Sequence, residues 1–114
     1  MNLTNKTKTW SAKDAFMAVK SNALSDYVGL TITVQAVATG TDVSADTGKG
    51  MRVDYIRAHE EELGTIMLST ISRTAIDQLE ALIEMNEENI KLEICEQACK
   101  KDDKNKFVYF DFAD

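Results

Sequence analysis

Four stretches of the chain alternate apolar and polar residues with the period of two that a half-buried strand requires. In Leu30–Ala38, Ile32, Val34 and Ala36 alternate with Thr31, Thr33 and Gln35. In Met51–Ala58, Met51, Val53 and Tyr55 fall on one face and Arg52, Asp54 and Ile56 on the other. Further on, Ile90, Leu92 and Ile94 alternate with Lys91, Glu93 and Cys95, and Val108, Phe110 and Phe112 alternate with Phe107, Tyr109 and Asp111. Gly64–Thr70, rich in β-branched and apolar residues, supplies another strand.

Two segments carry helical spacing instead. Ser11 and Asp14 form a loose capping box ahead of Ala12, Ala15, Phe16 and Val19, which predicts a short helix over Ser11–Lys20. Ser72 or Thr74 caps a second helix, Arg73–Met85, where Ala75, Ile76, Leu79, Leu82 and Ile83 make an apolar stripe beside an acidic one. Thr39–Gly50, with three glycines among Thr, Asp and Ser, reads as a long loop, and Lys100–Lys106 as a charged hairpin tip.

The predicted order is β-β-β-α-β-β preceded by a short helix. This is a mainly β chain with some α, the connectivity of a five-stranded OB-type barrel. The helix between strands three and four would cross the barrel's bottom and plug it with Ile76, Leu79 and Ile83. An open α+β sheet with the helix on one face is the rival. At 114 residues there is room for one domain, with 1–28 as an N-terminal segment and 29–114 as the barrel. In an OB-type barrel the face around strands two and three, with the neighbouring loops, is the expected binding surface.

Composition narrows the function. The net charge is −6, which argues against coating by bulk positive charge. Seven of the thirteen basic residues nevertheless fall in two windows, Lys49/Arg52/Arg57 and Lys100/Lys101/Lys104/Lys106, while acids gather at Glu60–Glu62 and along Asp77, Glu80, Glu84, Glu87 and Glu88. One side of an acidic protein can thus be basic. No stretch resembles a membrane span or a secretory leader, and two cysteines are too few for a disulfide framework, so a cytoplasmic location without membrane attachment is expected.

Catalytic and metal chemistry finds little support. His59, the one histidine, stands beside three glutamates at a turn and reads as a solvated side chain. Cys95 and Cys99 fall short of the four ligands of a structural zinc and read as inert thiols. Asp42–Asp46 begins like a calcium loop, but Thr47 stands where glycine is required and Val53 where a bidentate glutamate is required. Gly48-Lys49-Gly50 lacks the remaining residues of a phosphate-binding loop. No enzyme, metal or cofactor is expected.

What remains is cations interleaved with aromatics, the combination that holds single-stranded nucleic acid by tracking phosphates and stacking bases. Tyr55 lies between Arg52 and Arg57, and Phe107 and Tyr109 follow the Lys100–Lys106 tip into the last strand. Trp10, just before the first helix, is either a staple or a stacking group. The candidate binding residues are Trp10, Lys49, Arg52, Tyr55, Arg57, Lys100, Lys101, Lys104, Lys106 and Tyr109. The competing reading makes Tyr55 and the C-terminal aromatics barrel core.

Ser25-Asp26-Tyr27-Val28-Gly29 leading into Ile32-Thr33-Val34, Leu68-Ser69-Thr70 before a helix, and Lys104-Asn105-Lys106-Phe107-Val108-Tyr109-Phe110 resemble the small single-stranded DNA-binding proteins of bacteriophages of Gram-positive bacteria. The resemblance spans about Leu24–Phe112. It implies an OB fold that coats unwound DNA in phage DNA replication or recombination, in the host cytoplasm, with host or phage replication proteins as further partners. Basic residues are sparse for such a protein and no long acidic tail follows Phe112-Ala113-Asp114, so avidity from several protomers on one strand, a homo-oligomer, would compensate for a weak single site. The alternative function is a protein-interaction module, an inhibitor or adaptor that mimics DNA through Asp77, Glu80, Glu84 and Glu88.

Overall fold

The computed structural model describes the backbone of residues 3–5, 10–43, 50–85, 90–99 and 102–113, and the side chains of 10–41, 51–85, 90–98 and 106–113. Seven strands and two α-helices follow in the order β1 (Leu3–Asn5), α1 (Ala12–Ala18), β2 (Asn22–Ala23), β3 (Thr31–Val43), β4 (Gly50–Glu60), β5 (Gly64–Thr70), α2 (Arg73–Glu84), β6 (Ile90–Cys99) and β7 (Asp102–Phe112), with a 3-10 turn at Leu24–Tyr27. All seven strands belong to one sheet, ordered β2-β5-β4-β3-β6-β7, with β1 paired to β3. The sheet curls into a half-barrel.

Local chemistry accounts for the boundaries. Ser11 accepts from the Asp14 amide while Asp14 accepts from the Ser11 amide at 2.9 Å, completing the capping box that starts α1. Ser72, rather than Thr74, caps α2 by accepting from Ala75 N–H. The acidic turn between β4 and β5 is closed by Glu60, whose carboxylate accepts from the amides of Glu62 and Leu63 at 2.9 and 2.7 Å. Gly64 follows at φ +77, a left-handed conformation that glycine adopts without strain.

Strand β3 is the centre of the sheet. Thr31–Val34 pair with β6, and most of the strand from Thr33 onward pairs with β4. A bulge at Gln35 interrupts the β4 register. The extra residue shifts the side-chain parity by one, so Ile32 and Val37, rather than Ile32 and Ala36, face the main core. That core joins Ile32, Val37, Ile56, Ala58, Leu68, Leu92, Ile94 and Phe110 with Ala75 and Leu79 of α2. Leu24, upstream of the expected barrel, is as deeply buried as any of them.

Three expectations are corrected. Among the described residues the strands number seven rather than five, because β1 and β2 in the N-terminal segment pair with β3 and β5. Such short strands leave no periodic signature. Thr39–Val43 is strand, not loop: it pairs with Gly50–Asp54, and the Thr39 hydroxyl donates to Asp54 Oδ1 at 2.9 Å. Residues 44–49 of the expected loop lie outside the described residues. At the other hairpin, Asp102–Lys106 already belongs to β7.

The third correction concerns α2. The pattern places it across a barrel bottom; the structure lays it against β7. Among the described residues β5 and β7 share no strand pairing. Side chains of α2 reach the β7 backbone instead. Ser72 Oγ donates to Val108 O at 2.5 Å, while Gln78 takes both Phe110 groups, accepting from N–H at 2.7 Å and donating to C=O at 2.8 Å. Groups that a closing strand would pair are thereby satisfied. The architecture stands between the two expectations: a curled sheet whose pairing path is open at its ends, with a helix on each face.

Candidate nucleic-acid interface

The two faces of the sheet have different fates. On the inner face lie Ile56 and Ala58 of β4, Leu68 of β5, Leu92 and Ile94 of β6 and Phe110 of β7, all in the main core. On the outer face lie Val53, Tyr55 and Arg57 of β4, Met67 of β5, and, toward the other end, Cys95 and Gln97 of β6 opposite Tyr109 and Phe107 of β7.

The outer face of β4 and β5 is covered. Ala18 of α1 and Trp10 pack on Val53, Tyr55 and Met67, leaving Tyr55 only 6% exposed. Asp14 of α1 accepts from Arg57 Nη1 at 2.5 Å, and Gln35 at the bulge accepts from Arg57 Nε at 3.2 Å. Tyr55 therefore presents no ring face for stacking in this conformation, in line with the core reading of that residue. Trp10 is half-buried on the same cluster, which favours its role as packing for α1.

Arg52 is separated from both. It lies on the inner side of β4, with Asp54, and its guanidinium donates to Asp54 Oδ1 at 3.2 Å, to Thr39 and to Glu80 of α2. Burial works against its charge, but Glu80 and Asp54 outweigh that and raise its pKa. Asp54 is fully buried, and burial pushes its carboxyl up despite the hydrogen bonds from Thr39 and Arg52. This cluster ties α2 to the sheet and sets the one guanidinium against two carboxylates. The predicted trio Arg52, Tyr55 and Arg57 is thus divided between two faces, with both arginines already held by carboxylates.

The outer face of β6 and β7 differs. Phe107 and Tyr109, two residues apart on β7, are half-buried with ring centroids 6.0 Å apart and planes inclined at 46°. Helix α2 contacts β7, and its hydrogen bonds there go to the backbone of Val108 and Phe110, whose side chains have the inner-face parity. Lys106, exposed and next to Phe107 in the chain, has the opposite parity: it shares the face of Val108 and Phe110 and meets Glu96 there at 3.4 Å, a surface contact worth at most about 1 kcal/mol. Lys91, which spacing alone did not single out, shares this face through the β6 parity and sits beside Thr33 of β3. It lies roughly 13 Å along the strand from Cys95, at about 3.3 Å per residue.

Glu93 and Asp111 pair across the strands on the same face and set its electrostatics. Burial first, then Cys95 and Asp111, push the Tyr109 phenol up. Burial and the hydrogen bond to Glu93 push the Cys95 thiol up, which keeps it protonated and a poor nucleophile. A strand on this face would keep its phosphates to either side of that pair, toward Phe107 or toward Lys91. The side chains of Lys49, Lys100, Lys101 and Lys104, like that of Cys99, lie outside the described residues.

Compared with protein-family models, curated proteins and solved structures, the chain matches none. Its function must be read from the faces themselves. His59 is exposed, and among the described residues no three His, Cys, Asp or Glu side chains converge as a metal-holding group. No helix of the described residues is long and apolar enough to cross a membrane.

Proposed function

We propose that this chain binds single-stranded DNA with little sequence preference, through the outer face of β6 and β7. The observation that carries the reading is the Phe107–Tyr109 pair on the outer face of β7, with Lys91 on the same face of β6 and with Lys100, Lys101 and Lys104 shortly before the pair in the chain. Aromatic rings accept any base, and lysines supply the phosphate contacts. The order β5-β4-β3-β6-β7 of the long strands, with the helix after the third, supports assignment to a partly open OB-type barrel. A DNA-coating protein of phage replication or recombination, without enzymatic activity, is the role that fits. Several protomers along one strand would raise the avidity of so acidic a chain.

The alternative of a DNA mimic is less well supported. Of its row of four carboxylates, Asp77 is engaged by Arg73 at 3.3 Å and Glu80 by Arg52. That row is partly spent within the molecule.

Titration of the intact protein into fluorescent oligo-dT, with duplex DNA as control and at two salt concentrations, tests the reading. Oligo-dT is expected to bind more tightly than duplex and to weaken as salt rises. Lys91→Ala should flatten the log–log salt slope by roughly 0.7–1, the loss of one phosphate contact, whereas Tyr109→Ala should weaken binding with the slope kept. Absence of oligo-dT binding at about 10 μM protein in low salt, within the usual range for non-specific contacts, would overturn it.

A further inference from the structure

Helix α1 is docked with its faces the wrong way round for permanent packing. Its buried residues are Asp14 and Ala18, a carboxylate and a methyl group. Its large apolar residues face water: Phe16 is 78% exposed and Val19, at its C-cap, 72%. A helix held by the hydrophobic effect would bury these two first. At seven residues α1 is also far shorter than the roughly 12–15 at which an isolated helix becomes marginally stable, so its helicity depends on docking. Among the described contacts, the Asp14–Arg57 ion pair at 2.5 Å and the packing of Ala18 and Trp10 on Val53, Tyr55 and Met67 hold it on the sheet.

Beneath it lie the ingredients found on the open face. Arg57 stands on the same side of β4 as Tyr55, with Val53 and Met67 around them. The two faces are joined through β4, β3, β6 and β7, three strand spacings or about 14 Å across the sheet, and the registers Arg57↔Ala36, Thr31↔Glu93 and Cys95↔Tyr109 set Arg57 and Tyr109 about six residues, or roughly 20 Å, apart along it. We propose that α1 is a displaceable cover over a second nucleic-acid subsite, in which Asp14 occupies on Arg57 the place of a phosphate. Single-stranded DNA bound at Phe107 and Tyr109 extends across the sheet, exchanges its phosphate for Asp14 and gives the Tyr55 ring to a base. This rests on the single-stranded DNA reading above. The cover makes the free protein a weaker binder than its uncovered form, by the fraction of molecules in which α1 is lifted.

Two variants and one reporter test it. Trp10, the sole tryptophan, packs on the covered cluster, so its emission follows α1. Asp14→Asn and Arg57→Gln both remove the ion pair, and both should shift Trp10 emission to the red in the free protein. Neither touches the main core, in which α1 has no residue, so the β-sheet circular dichroism should be unchanged. On oligo-dT they should part: Asp14→Asn binds roughly tenfold tighter than wild type, and Arg57→Gln binds more weakly than wild type because the phosphate contact is gone. Oligo-dT added to the wild type should produce the same red shift. If the wild type binds oligo-dT but Asp14→Asn binds no tighter, the cover is refuted and the β6–β7 site stands. If no form binds, including Asp14→Asn, both readings fall together.

Discussion

Replacing Phe107 and Tyr109 together by alanine is expected to lower the affinity for oligo-dT by at least about thirtyfold. Each ring that stacks a base is worth about 1–3 kcal/mol, so two contribute about 2–6, at tenfold per 1.4 kcal/mol. The rings touch one another, so the single substitutions should not sum to the double, and the coupling is itself a sign that they act as one platform. The loss should come without unfolding, because the core residue of this strand is Phe110, on the opposite face. Binding titration paired with urea unfolding separates the two effects. An affinity within threefold of wild type would mean that DNA, if bound, is held elsewhere.

The largest effect on stability should come from outside the long strands. Leu24→Ala is expected to cost about 2–5 kcal/mol, as for a leucine lost from a packed core, because this 1% exposed side chain sits among Ile32, Ile56 and Leu68. Val28→Ala, four residues on and substantially exposed, should change stability by less than about 0.5 kcal/mol. Urea midpoints at constant m-value check both. Equal, small effects would mean that the segment before β3 is an appendage rather than part of the folded unit.

The elements that rely on local rules could be read from the sequence. Alternation located β4 and β7, the Ser11/Asp14 box located α1, and the Ile76/Leu79 stripe located α2. What escaped depends on contacts between distant residues. The bulge at Gln35 reverses parity midway along β3, so continuous alternation through Ala36 misplaced every later side chain. Thr39–Val43, too polar and glycine-bearing to read as strand, is held by pairing to β4 and by Asp54.

The candidate site shows the same division. Alternation already placed Arg52 opposite Tyr55 across β4, yet their nearness in sequence suggested one cluster. That Arg57 would find its partner 43 residues away on α1 could not be read from spacing at all. By contrast the β7 end of the site was legible, because Phe107 and Tyr109 share a face by the period of two and the lysines precede them directly in the chain. Lys91 joins them only through the β3–β6 register.

Single-stranded DNA is proposed to lie on the outer face of β6 and β7. Amide chemical-shift mapping of the intact protein during titration with oligo-dT tests this most directly. The predicted result is perturbation centred on Cys95, Gln97, Lys106, Phe107 and Tyr109, spreading through Lys91 toward Arg57 and α1 as the oligonucleotide is lengthened. Perturbation centred on α2, or none at saturating oligonucleotide, would contradict it.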